Sequence, residues 1–120
     1  MNETSAGRPQ PIFGPDGPER AELRLTTVLA ALADPVRLAY VQEVARRGPW
    51  VRCGEVLADR GFTISKSTLS HHLRVLREAG ITSTRVDGVR RYVALRADDL
   101  DARFPGLLRS VCVADERVDA

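Results

Sequence analysis

Lysine is nearly missing from this chain: Lys66 is the only one, and arginine carries almost all the positive charge. That bias reflects codon usage in a GC-rich genome more than function. Cysteine is scarce as well. Cys53 and Cys112 are the only two, too few for a disulfide framework, which fits a reducing compartment. No apolar run approaches the roughly 20 residues that span a bilayer, so an integral membrane protein is not expected. Residues 1–11 contain no apolar signal core, which points to the cytoplasm. There is no glycine-rich phosphate loop, no nucleophile elbow and no His-rich metal motif, so the chain is not expected to be an enzyme.

What is present is an ordinary globular mix. Over 120 residues, 43% are hydrophobic and 28% charged, which suits one compact domain and argues against a wholly disordered chain. The net charge of +2 hides a segregation. Residues 66–96 carry seven basic and two acidic side chains, net +5, whereas residues 97–120 are net −3 and residues 1–65 are neutral. A basic quarter of a chain is the footprint of a surface that meets a polyanion. It is equally what a solvated basic face without a partner would show.

Residues 1–18 hold four prolines and three glycines and read as a flexible arm, with Ile12 and Phe13 able to dock locally. Residues 19–113 form the expected domain, and residues 114–120 a frayed tail. From Glu19 an apolar stripe of Leu23, Leu25, Val28, Leu29 and Leu32 predicts a first helix. Asp34-Pro35 predicts an N-cap and first residue for a second helix over 35–47, closed by Gly48-Pro49. Residues 54–60 read as a short helix ending at Gly61. Ser65 is the N-cap expected for a helix over 66–79. In that helix Leu69, Leu73 and Leu76 recur at helical spacing and would face the core, while Ser67, Ser70, His71 and Arg74 share another face. Two β-rich runs, 81–86 and 89–96, flank Asp87-Gly88, a strong signal for a two-residue hairpin turn of type I′. Asp98 or Asp99 would cap a last helix, with Leu100, Phe104, Leu107, Leu108 and Val111 on its apolar side. Pro105-Gly106 should kink or split it.

Helix, helix, short helix, helix, hairpin, helix is the order of a winged helix-turn-helix: mainly α, with a β-hairpin wing. The second helix of such a motif fits the major groove, about 12 Å wide. Its outward face should carry short hydrogen-bonding groups and cations. Ser67, Thr68, Ser70, His71, Arg74 and Arg77, with Lys66 at the helix start, meet that demand. Arg85, Arg90 and Arg91 would serve as wing contacts to phosphate or the adjacent minor groove. The expected partner is double-stranded DNA.

The segments "LADPVRL" and "STLSHHLRVLREAG", followed by an Asp-Gly wing, resemble the ArsR/SmtB family of bacterial transcriptional regulators over roughly residues 21–112. The resemblance implies a homodimer that binds operator DNA, usually as a repressor released by an inducer. It also implies a dimer interface built from the first and last helices, here Leu25, Val28, Leu29, Phe104, Leu107, Leu108 and Val111. The operator should then be an imperfect inverted repeat.

The inducer does not carry over. Many members sense metal through a Cys-x-Cys pair, but this chain has Cys53 alone at the matching stretch. Others use paired Asp/His and His/Glu ligands on the last helix, but no histidine follows His72. Asp99, Asp101 and Cys112 remain as weak metal candidates, for an ion such as nickel or zinc. Cys53 and Cys112 remain as weak redox candidates, provided folding brings their Cα atoms within about 7 Å. The plain alternative is two packed thiols. His72 is expected to make an internal hydrogen bond, and Trp50 to pack as a lid between helices. The acidic residues Asp98, Asp99 and Asp101 are first of all a helix N-terminus. Two rival functions stay open. One is a winged-helix protein–protein module with an acidic partner. The other is a DNA-binding subunit whose metal site lies on a second sensor protein.

Overall fold

The computed structural model describes residues 10–11, 17–58 and 60–114. In chain order its elements are β1 (Gln10–Pro11), α1 (Leu25–Leu32), α2 (Pro35–Arg47), β2 (Val51–Arg52), α3 (Lys66–Glu78), β3 (Thr82–Asp87), β4 (Arg90–Leu95), α4 (Ala97–Arg103) and α5 (Leu107–Ala114), with 3-10 turns at Arg20–Glu22 and Cys53–Glu55. The strands form one antiparallel sheet in the order β1-β3-β4-β2. Helices supply most of the core. Leu23, Val28, Tyr40, Val41, Val44, Leu76, Ile81 and Leu100 are all sealed from solvent around Val56 and Val93.

Local chemistry explains the boundaries. Asp34 accepts from the amides of Val36 and Arg37 at 2.8 and 3.1 Å, and Pro35 opens α2. Both satisfy donors that a helix start leaves without partners. Gly48, at φ 92°, ends it. The predicted first helix is broken. Glu19 and Glu22 close a capping box around the 3-10 turn. Leu23 then runs extended into the core, and its carbonyl accepts from Arg103 at 2.5 Å instead of joining a helical ladder. The predicted helix over 54–60 is likewise a 3-10 turn followed by i→i+3 bonds. The Tyr40 hydroxyl donates to the Cys53 carbonyl at 2.9 Å, fixing this turn to α2.

The hairpin turn is one residue further on than the sequence suggests. Asp87 pairs with Arg90, so the two loop residues are Gly88 and Val89. Only Gly88 has positive φ, at 66°. A β-branched valine resists that region, so a turn needing positive φ only at its first central residue replaces the expected type I′.

Near the C-terminal end, Phe104-Pro105-Gly106 splits the last helix into α4 and α5. The residue flanking α4 is Arg96, whose side chain makes no cap; Asp98 and Asp99 lie in the first turn. Of the N-terminal arm, Gln10 and Pro11 pair with Val86 and Arg85 on the edge of the sheet, so that part is not free. Gly17 sits so close to the Arg77 carbonyl that a Cβ there would collide with it. Ile12, Phe13 and residues 115–120 lie outside the described residues.

Candidate nucleic-acid interface

Helix α3 is placed by its own chemistry. The Ser65 hydroxyl accepts from the Thr68 amide at 3.2 Å and caps the helix. Leu73 and Leu76 are buried, and Leu69 packs half-buried against the same core. That leaves Lys66, Ser67, Thr68, Ser70, His71 and Arg74 exposed, and Arg77 half-buried. The two histidines diverge as adjacent helical positions must. His71 lies at the surface with its Nδ1 3.5 Å from an Arg74 nitrogen. His72 turns inward, and its Nδ1 lies 3.1 Å from Arg37 Nη1. Arg37 also donates to the Ala31 carbonyl at 2.7 Å. A single guanidinium thus ties α3 to α2 and the end of α1.

The wing stands beside this helix. Arg90 and Arg91 are exposed at its outer end. A cleft of about 460 Å³ runs between α3 and the hairpin, bordered by Ser70, His71, Arg74, Arg77 and Arg91, with Cys53 at its floor. The structure therefore brings the serine–histidine–arginine face and one wing arginine to a common basic cleft. Arg85 is on the opposite face of the hairpin. It stands across from Tyr92, and its guanidinium lies 4.2 Å over the Trp50 ring. Trp50 is therefore a platform under the wing and not a lid between helices. Nothing in the local sequence signals this contact, because strand β2 brings it about through long-range pairing with β4.

The remaining candidates separate clearly. Leu25 and Leu29 are each 44% exposed on α1, whereas Val28 is 1% exposed inside a single chain. Val28 is thus packed into the core of the single chain. Phe104, Leu107, Leu108 and Val111 are half-buried against the core. Gln42 holds α5 to α2 by donating to the Val111 carbonyl at 3.0 Å.

Asp99 is paired with two arginines in the single chain. Its oxygens accept from Arg20 at 2.7 Å and Arg96 at 3.0 Å. The Arg20 bond, with Arg96 beside it, holds its carboxyl below the ordinary range despite partial burial. Asp101 is exposed. Among the described residues no three His, Cys, Asp or Glu side chains gather as a metal site. Cys53 and Cys112 are both free thiols. Burial pushes both thiol pKa values up, which lowers the thiolate fraction on which reactivity depends.

A capped helix with a short polar and cationic outer face, backed by a basic hairpin, defines a winged helix-turn-helix DNA-binding regulator. Comparison with known proteins agrees. The family model described as bacterial regulatory protein, arsR family, matches residues 60–84. An uncharacterized HTH-type transcriptional regulator of Bacillus subtilis (strain 168), YceK, is 39% identical over 84 residues, covering 70% of this chain and 82% of that protein. The arsenical resistance operon repressor of Staphylococcus xylosus is 32% identical over 80 residues, covering 64% of this chain and 70% of that protein. The crystal structure of an ArsR family transcriptional regulator superposes with a TM-score of 0.57 at 25% identity, covering 78% of this chain and 92% of that one. The chain belongs to the ArsR family and is a DNA-binding transcriptional regulator. No helix among the described residues is long and apolar enough to cross a membrane.

Proposed function

We propose that this chain acts in the cytoplasm as a homodimeric repressor of an inverted-repeat operator. Helix α3 enters the major groove. Ser67, Thr68, Ser70, His71 and Arg74 meet base edges there, Lys66 and Arg77 meet the flanking backbone, and Arg85, Arg90 and Arg91 meet phosphate beside the wing. Leu25 and Leu29 of α1, with Phe104, Leu107, Leu108 and Val111 at the other end of the chain, form the self-association face. The observation that carries this reading is the division of α3, whose leucines turn inward while its serines, His71 and Arg74 stand exposed.

Footprinting on the upstream region of the chain's own gene tests it. The expected result is protection of two half-sites about one helical turn apart. Binding that does not distinguish this region from random duplex would refute the operator reading and favour a protein–protein module. Repeating the titration with divalent metals and an oxidant asks whether the homodimer itself carries a sensor.

A further inference from the structure

The last turn of α1 leaves an acceptor over. In a continuing helix the Ala31 carbonyl would accept from the amide of residue 35, but that residue is proline and has no N–H. Arg37 supplies the missing donor, its Nε lying 2.7 Å from the Ala31 oxygen. The base of this side chain is itself held, because the Asp34 cap accepts from the Arg37 amide at 3.1 Å. The same guanidinium reaches into α3, where its Nη1 lies 3.1 Å from His72 Nδ1. A guanidinium has donors only, so Nδ1 accepts and the imidazole carries its proton at Nε2.

This bond does what the leucines of α3 do not. Leu69, Leu73 and Leu76 seat the helix on the core through apolar contact, which is non-directional. The His72–Arg37 bond is directional. About 100° separates adjacent helical positions, so the setting of His72 fixes where His71 points, and with it Arg74 on the next turn. The other end of the bridge is on α1, which carries the exposed Leu25 and Leu29. One side chain therefore bonds both to the helix of the proposed self-association face and to the helix proposed to read DNA. In a twofold dimer, the separation and tilt of the two copies of α3 depend on how each is set against its own α1. Duplex DNA demands a fixed separation, one helical turn between half-sites.

We propose that Arg37 is a positioning residue for operator recognition: through the Ala31 carbonyl and His72 it sets α3 against α1 and so fixes the half-site spacing that the dimer accepts. The proposal rests on the homodimer reading given above. It adds a residue in the first turn of α2, behind the reading face, to the determinants of specificity.

The test uses the full chain and three duplexes: the inverted repeat that the wild type selects from a random-sequence pool, the same repeat with one base pair inserted between its halves, and a single half-site. Wild type should prefer the selected spacing to the altered one. H72L removes the acceptor on α3, and R37K keeps the charge but loses the planar fork that reaches two acceptors at once. Each should reduce the spacing preference about threefold to tenfold, while single half-site binding stays within about twofold of wild type. H72N keeps a side-chain oxygen near the place of Nδ1 and should retain the wild-type preference. The R37K/H72L double variant should lose no more than R37K alone. H72L leaves the Ala31 bond in place, so it covers the case in which R37K fails to fold. A bond that serves stability alone would lower the urea midpoint of H72L and R37K and leave their spacing preference at the wild-type value. That result, or H72N behaving like H72L, overturns the proposal while leaving the regulator intact. A wild-type chain that selects no inverted repeat overturns both.

Discussion

Glu43 shows how a single side chain braces the motif from behind. Its carboxylate is only 3% exposed, yet three guanidiniums reach it: Arg46, Arg47 at 2.9 Å, and Arg60 at 3.4 Å from the segment leading into α3. Hydrogen bonds from Arg46 and Arg47, more than the opposing effect of burial, hold its pKa at about 2 against an ordinary 4.5. The ionised form is thus the one the fold favours. The stabilisation is complete above the unfolded value and is lost as pH falls from about 4.5 to about 2. The arginines are themselves 26–64% exposed, so solvent screening reduces the effect. Glu43→Gln should cost about 2 kcal/mol at neutral pH. The gap to wild type should narrow as pH falls below about 4.5 and close only near pH 2, which urea melts across pH would show. A constant gap would deny Glu43 this role. Gly80 makes a steric case at the same scale. It has φ 85°, and a Cβ there would strike the Leu23 side chain and crowd Pro18 at 3.1 Å. Gly80→Ala should destabilise by about 1–3 kcal/mol through overpacking and backbone strain, seen as a lowered denaturation midpoint at unchanged m-value.

At the scale of elements, the proposed function divides the reading of DNA between α3 and the wing. His71→Ala and Arg74→Ala remove groups proposed to meet base edges, so each should weaken the selected duplex about tenfold to a hundredfold and a random duplex far less. Arg90→Ala removes a wing-tip cation. It should weaken both duplexes alike and lower the salt slope by about 0.9. Equal losses on both duplexes for the α3 variants would remove these residues from sequence readout. These elements were also the most legible in the sequence. Asp34-Pro35 and Ser65 mark their helices because capping is a local matter, decided within three residues. The leucine spacing of α3 orients the helix for the same reason. Legibility fails where distant partners compete with local propensity. Leu23 leaves its helical stripe because Arg103, eighty residues on, takes its carbonyl. The stretch from Cys53 forms a 3-10 turn that the Tyr40 hydroxyl ties to α2. The hairpin turn falls on Gly88-Val89, and of the two only Gly88 takes positive φ, as a β-branched valine resists it. The Trp50–Arg85 stack is invisible in sequence because it depends on the pairing of β2 with β4.

At the scale of the molecule, the apolar stripe of α1 is only partly covered. Val28 and Leu32 are spent on the chain's own core, while Leu25 and Leu29, one turn apart, keep 44% of their surface in water. Two such leucines on one helical face leave apolar area that a single chain does not cover, and a twofold partner would cover it with the same face. The half-buried residues of α5 offer a second strip. Leu29→Glu places a charge on this face without touching the core, so the monomer should keep its helical circular dichroism. Sedimentation should show wild type as a dimer and Leu29→Glu as a monomer at the same concentration. Losing the dimer turns one bivalent event into two independent half-site events, so affinity for an inverted repeat should fall by about a hundredfold or more. Affinity for a single half-site should stay close to that of one wild-type subunit. A Leu29→Glu chain that still sediments as a dimer would move the interface off α1 and leave those leucines as an exposed patch of another purpose.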